Sequence, residues 1–298
     1  MRTPPKHWAS VDQPAQHEGH PIMLRIWGGS TISHEDARAA ARERAAALIA
    51  AGGPGRADAS WYYPRTRQRE EVLEEVHAED GELIATITRN RYGALILTTD
   101  ALLIADVDLP EGAADRPAGG GRLGRLVRAL TGAAAPEPGA DAGTPHGPEA
   151  EALARIDRFA LEHPGLGVRT HRTRAGFRVM ITGSGHAPGG PEAQALLEEL
   201  GSDPLYVRLS RAYETSRARL TPKPWRTGMS APPVRWPAQD HGAEQRLRTW
   251  IEQYEQRSAG FAACRRIRET GPLPSAVEQR ILTLHDRLSG TDSGRPLA

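Results

Sequence analysis

One cysteine, Cys264, stands in 298 residues. A single thiol closes no internal disulfide and builds no cysteine zinc site, which fits a reducing compartment, and its plain reading is an inert core or helix-surface thiol. Lysine is nearly as scarce. Lys6 and Lys223 are the only two, so the other 36 of the 38 basic residues are arginine. No apolar run approaches the roughly 20 residues that cross a bilayer, which argues against a membrane protein. The opening MRTPPKHWASVDQ lacks the apolar core of a signal peptide, so the expected location is the cytoplasm. Excess charge is missing too: a net charge of +1 argues against a generally basic nucleic-acid coat. What remains is an ordinary chain of one or two domains, 39% hydrophobic, with enough apolar residues for a sizeable core.

The neutral total hides local excess. Gly167 to Met180 holds Arg169, Arg172, Arg174 and Arg178 and no carboxylate. Pro204 to Gly228 holds Arg208, Arg211, Arg217, Arg219, Lys223 and Arg226 against Glu214 alone. Four parts are expected along the chain: a disordered or loosely attached arm, 1–21; an α+β core, 22–228, interrupted by a low-complexity insert at 111–149; a helical C-terminal region, 229–290; and a disordered tail, 291–298.

Within the core, Ser33 with Asp36 predicts a helix from His34 to Ala51, stopped by Gly52-Gly53. A short helix is expected from Arg67 to Val76, after Trp61, Tyr62 and Tyr63. From Gly81 the β-type runs ELIATITR, ALILTT and ALLIADVDL, separated by turn residues such as NRYG, suit a meandering antiparallel sheet. Inside the insert, Leu123, Leu126, Val127 and Leu130 have helical spacing beside Arg122, Arg125 and Arg128. PEAEALARIDRFALEH is an amphipathic helix with Leu153, Ile156, Phe159 and Ala160 toward a core. Strands Val168–Thr173 and Phe177–Thr182 then form a hairpin around Ala175-Gly176. A helix follows at Pro191–Leu200. Another is capped by Ser202 or Asp203 ahead of Pro204, with Leu205, Leu209, Ala212 and Tyr213 on its buried face. The order is α+β: a mainly antiparallel sheet with flanking helices, shared by the pieces on either side of the insert.

LLIADVDLP raises the chemical question. Side chains at i and i+2 of a strand share a face, so Asp106 and Asp108 sit side by side about 7 Å apart at the backbone. Like charges that close repel unless a cation lies between them, and Mg²⁺ or Mn²⁺ binds carboxylate oxygens in such pairs. The alternative is a strand end entering a turn, where aspartate is common. RARLTPKPWR adds Arg217, Arg219, Lys223 and Arg226 around two prolines that fix the backbone. Guanidinium groups bind phosphate bidentately, and lysine supplies a compact charge. In the hairpin, Arg172, Arg174 and Arg178 alternate with Thr173 and Val179, suggesting one basic face. His171 is either a general acid or base or a structural histidine. The loop GSGHAPGG has no G-K-[ST] ending, so it is not a P-loop.

A D-x-D at a strand's end, a helix, then the hairpin HRTRAGFRVMIT together resemble the archaeo-eukaryotic primase (primase-polymerase) superfamily over residues 81–228. The resemblance implies a primase-like, RRM-like core. It also implies that Asp106 and Asp108 bind a divalent metal, that Arg174 and Arg178 lie near the nucleotide-contacting position, and that the partner is a nucleotide or nucleic acid. Two departures stand out. Arg178 occupies the place of the family's hairpin histidine, and the third carboxylate has only Asp203 as a candidate. Three functions are therefore expected side by side. In a metal-dependent phosphoryl- or nucleotidyl-transfer enzyme, Asp106, Asp108, Arg178 and Lys223 are catalytic and Arg174, Arg217, Arg219 and Arg226 hold phosphates. The others are a non-catalytic module binding nucleic acid or a phosphorylated ligand, and a scaffold protein of the same fold.

Overall fold

Strand LIADVD, Leu103–Asp108, shows why the fold has two layers. Leu103, Ala105 and Val107 enter one apolar cluster with Phe159, Phe177 and Val179. Leu102 and Ile104 point the other way, into a second cluster with Ile87, Leu97 and Ile281. Burial on both faces explains the continuous apolar run, and each fully buried large aliphatic side chain stabilises by about 1.5–3 kcal/mol.

The computed structural model describes residues 1, 3–17, 20–50, 68–110 and 147–298. Trp61, Tyr62, Tyr63 and the amphipathic stretch 122–130 lie outside these. The described residues form ten strands and six helices. Strands β1 (His7–His17) and β2 (His20–Ser30) make an antiparallel ribbon backed by α1 (His34–Ala50). Strands β3 (Glu71–His77), β4 (Leu83–Arg89) and β5 (Leu95–Thr99) are followed by β6 (Leu103–Asp108) and α2 (Pro148–Glu162). Next come β7 (Gly167–Thr173), β8 (Gly176–Thr182), α3 (Pro191–Glu199), α4 (Pro204–Tyr213) and β9 (Ser216–Arg219). A 3-10 turn at Pro224–Thr227, α5 (His241–Ser258), β10 (Cys264–Thr270) and α6 (Ala276–Ser289) complete the chain. One four-stranded sheet has the order β10-β7-β8-β6 and the other β3-β4-β5-β9, all antiparallel. This is the expected α+β class.

Several expectations are corrected. His7–His17 is not a loose arm but β1, which contains Pro14 and pairs with β2, which contains Pro21. A two-stranded ribbon has two open edges, where a missing N–H costs no ladder bond. Glu71–His77 is a strand rather than a helix. Burial along β3 does not alternate strictly, because its register slips twice. In α4 the buried residues are Val207 and Ser210. The C-terminal region is not wholly helical, since β10 pairs with β7. Its last residues are docked: Ala262 N–H donates to Pro296 O, and Ala298 is buried.

At the β7–β8 turn, Gly176 lies opposite Asp108. A Cβ there would overlap the Val107 carbonyl oxygen. Gly176→Ala should therefore push β6 off β8 and cost about 1–3 kcal/mol, read as a lowered urea midpoint. An unchanged midpoint would contradict this packing.

Candidate functional site

Residues directly opposite each other in a sheet share a face. Asp106 on β6 faces Arg178 on β8, which faces His171 on β7, which faces Arg266 on β10. Acid, base, histidine and base thus form a row across the sheet, on the side of Ile104 and Met180 and toward the second sheet.

Strand β6 is an edge strand, and its outer backbone groups are taken by polar side chains and a loop. Ile104 N–H donates to Ser216 Oγ on β9 at 3.2 Å, and Asp106 N–H donates to Ser202 Oγ at 3.0 Å. Asp203 N–H donates to Asp106 O at 2.7 Å. That bond brings a third aspartate to the pair. Asp203 also caps α4, accepting from Tyr206 N at 2.8 Å. The third carboxylate stands at a helix start rather than on a strand.

Asp108 is exposed at the strand end. Partial burial of its carboxyl, then the charges of Asp106 and Asp203, push its pKa up to about 6 against the pull of Lys223 and Arg219. Arg219 feels Asp106, Arg178 and Arg226, and burial lowers its pKa to about 10. The fold therefore draws Asp106, Asp108 and Asp203 together with Arg178, Arg219 and Lys223, and sets Arg226 beside Arg219. The remaining residues go elsewhere. Arg217 grips Glu70 through both carboxylate oxygens at 2.8 and 2.7 Å. Arg174 is exposed in the β7–β8 turn, next to the end of β6. Arg172 faces away from Arg178, donating to Glu149 on α2 and to the carbonyls of Thr173 and Gly176. In the loop after β8, Gly183 N–H donates to Glu278.

Behind the row lies a network that sequence reading missed. Arg178 is only 5% exposed. Its Nη1 donates to His285 Nε2 at 2.9 Å. His285 Nδ1 donates to Asp286 Oδ1 at 2.8 Å, and His171 Nε2 donates to the same oxygen at 3.0 Å. Burial pushes the Asp286 carboxyl up, but the hydrogen bonds from His171 and His285 outweigh it and hold it well below the carboxylate range. Arg169 and Arg266 each reach Asp286 Oδ2 at 3.2 Å. Burial lowers the pKa of His285 to about 3 and lowers that of His171, despite the pull of Asp286 on both. Both imidazoles are fully buried and neutral. The adjacent His285-Asp286 on α6 was the one available sequence signal, and nothing in the sequence places it against the hairpin.

His171, Cys264 and His285 bring ligand atoms within 4.8 Å of one another, a set that could hold a metal. Arg178 already fills the place of a cation there, its Nη1 lying 2.9 Å from His285 Nε2 and 4.0 Å from Cys264 Sγ. Soft and borderline metals suit these donors, whereas Mg²⁺ and Mn²⁺ suit the carboxylates.

No family model, curated protein or solved structure matches this chain. The geometry stands on its own.

Two pH effects follow. An unfolded histidine titrates near 6.5, but His285 in the fold titrates near 3. Its stabilising contribution is present above about 6.5 and is lost as pH falls toward 3, by up to about 1.4 kcal/mol per pH unit. Unfolding free energies at pH 7 and 5 should show this loss, and His285→Gln should flatten it. Asp108 has the opposite sign. Its raised pKa means that the protonated form favours the fold below about 4, an advantage lost as pH rises through about 6. Asp108→Asn should raise stability at pH 8 and not at pH 4, by at most about 1 kcal/mol once solvent screening is discounted.

Proposed function

We propose that this chain is a divalent-metal-dependent phosphoryl- or nucleotidyl-transfer enzyme of the primase-polymerase kind, acting on nucleotides or nucleic acid. The observation that carries the reading is the convergence of Asp106, Asp108 and Asp203 with Arg219 and Lys223. The donor set fits Mg²⁺ or Mn²⁺: it is all oxygen, and the like charges of Asp106 and Asp203, which add to burial in raising the Asp108 pKa, are of the kind a dication would offset. Asp106 and Asp108 would hold the ion, with Asp203 beside them. When bound, it supplies Lewis-acid polarisation of a phosphoryl oxygen.

The other roles belong to the chain itself. Arg219 and Lys223 approach the carboxylates from β9 and the loop after it, so an anionic substrate that bridges acids and bases has its charge neutralised on one side. Arg178 is buried and held by His285, which sets the direction of its remaining N–H groups. It supplies fixed positive charge opposite Asp106. Tyr206 serves structure: its hydroxyl donates to Arg217 O and accepts from Arg217 N. Among the described residues no helix is long and apolar enough to cross a membrane, and a cytoplasmic setting belongs to the same proposal.

A second reading, non-catalytic binding of nucleic acid or a phosphorylated ligand, is favoured by one feature. Arg178 stands where the resembled family has histidine, and His171 is buried against Asp286. The hairpin thus offers the carboxylates no histidine.

Isothermal titration of the protein with Mn²⁺ and ATP at pH 7.5 separates the readings. Saturable heat is expected from the wild type, with at least about 100-fold weaker binding in the Asp106→Ala/Asp108→Ala variant. No wild-type heat, or equal heat from the variant, would sink the enzymatic reading. Metal-free binding that survives both aspartate substitutions but disappears with Arg219→Ala and Lys223→Ala would establish the second.

A further inference from the structure

Beside the carboxylates lies a second feature that neither metal nor phosphate binding uses. Tyr92 and Trp225 meet edge to face, with ring centroids 5.6 Å apart at 86°. Each carries its own cation. Arg91 lies 4.7 Å over the Tyr92 ring, and Lys223 Nζ lies 5.6 Å from the Trp225 centroid. Both aromatic rings are only half-buried.

The two rings come from segments far apart in sequence, and both segments are anchored on α5. Tyr92 sits in the Asn90–Gly93 turn between β4 and β5, where Asn90 Oδ1 accepts from Tyr92 N and Ala94 N at 3.0 and 3.1 Å. Gly93 has φ +87, and a Cβ there would overlap the Trp250 ring. The turn is therefore seated on α5. Trp225 is the second residue of the short helical turn Pro224–Thr227, which follows Pro222-Lys223, and both prolines are buried. Tyr254 on α5 donates to Pro222 O at 2.6 Å, and its hydroxyl oxygen lies 2.8 Å from Thr221 Oγ1, placed to accept from that hydroxyl. Trp250 and Tyr254 stack at 5.2 Å and 8°. One helix thus fixes both supports of the aromatic pair.

Lys223 links this pair to the candidate site, since its charge also acts on Asp108. A phosphate binder needs cations alone. Aromatic rings fixed beside those cations suit a ligand that carries both phosphate and a flat π-face. We propose that Tyr92 and Trp225 form a base-stacking platform for single-stranded nucleic acid, with Lys223 and Arg91 on its backbone. Stacking accepts any base, so the platform binds strands with little sequence preference. The proposal deepens the nucleotidyl-transfer reading by naming a polynucleotide as the ligand, and its test needs no metal.

The test measures fluorescence anisotropy of the full chain in EDTA with a labelled 12-mer of thymidine. A labelled 12-mer of the same backbone without bases serves as the control. The wild type is expected to bind the base-bearing strand more tightly. Trp225→Ala should weaken that binding about 5- to 140-fold, the effect of losing one stacked base, while leaving the abasic strand within about twofold. Trp225→Phe should retain most of the affinity. Tyr92→Ala, at the tip of a turn, should act in the same sense and guards against a folding defect at Trp225. Equal wild-type affinity for the two strands, no binding of either, or Trp225→Ala weakening both alike would overturn the platform. If the wild type binds the base-bearing strand more tightly in EDTA while Mn²⁺ and ATP give it no heat, the platform stands and the enzymatic reading falls.

Discussion

The site depends on one hydrogen bond, from Asp203 N–H to Asp106 O at 2.7 Å. Strand β6 lies at the edge of its sheet, and an edge strand must satisfy a row of backbone groups without a neighbouring strand. Here the segment between α3 and α4 and the serine that opens β9 do so. Ser202, Asp203 and Ser216 take the groups that another strand would otherwise pair. Two consequences follow. A further strand would extend the sheet past Asp106 and Asp108, whereas a loop ends it there. The same loop delivers a third carboxylate, so satisfying the edge and assembling the acidic cluster are one event.

Electrostatics sets the next constraint. Three carboxylates gathered at the end of β6 and the start of α4 are unfavourable alone, and after burial the charges of Asp106 and Asp203 are what raise the Asp108 pKa. Arg219 and Lys223 offset part of this from the second sheet. Arg178 meets the opposite problem, a guanidinium almost without solvent, and a buried charge costs several kcal/mol unless it is well paired. Asp106 faces it across the strand pair, and neutral His285 accepts its N–H. Burial keeps His285 neutral against the pull of Asp286, and by accepting the Nδ1 proton Asp286 fixes the tautomer that leaves Nε2 free to accept. Replacing His285 would take away the acceptor of this buried cation's Nη1.

How much of this the sequence displayed depends on how local each cause is. Strand β6, the β7–β8 hairpin and helices α1, α2 and α3 were legible because alternation, turn glycines and caps act within a few residues. The aspartate pair was legible for the same reason. Strands β1 and β3 were not: prolines tolerated on open edges and a slipping register imitate other structures. Arg217 and Arg219 looked equivalent, yet Arg217 is consumed by Glu70, which is 147 residues away. The hydrogen bonds behind Arg178 span 107 and 115 residues. No local pattern encodes such contacts, so His285 and Asp286 passed as an ordinary helix end.

The C-terminal region looked like an appendage because its helices are polar outside and carry no motif. Its actual role is support. Helix α5 holds the Asn90–Gly93 turn through Trp250 and the Pro222 segment through Tyr254, while α6 holds Arg178 through His285. A site keeps its geometry only when the side chains that form it are locked by others behind them. Lys223, whose loop is pinned by α5, and Arg178, pinned by α6, act from different directions on one set of carboxylates. Separate anchors let each cation hold its place without the other, so the acidic cluster meets fixed positive charge rather than mobile surface arginines. Polar helices with no motif of their own are thus what make the charges on β6, β8 and β9 a site.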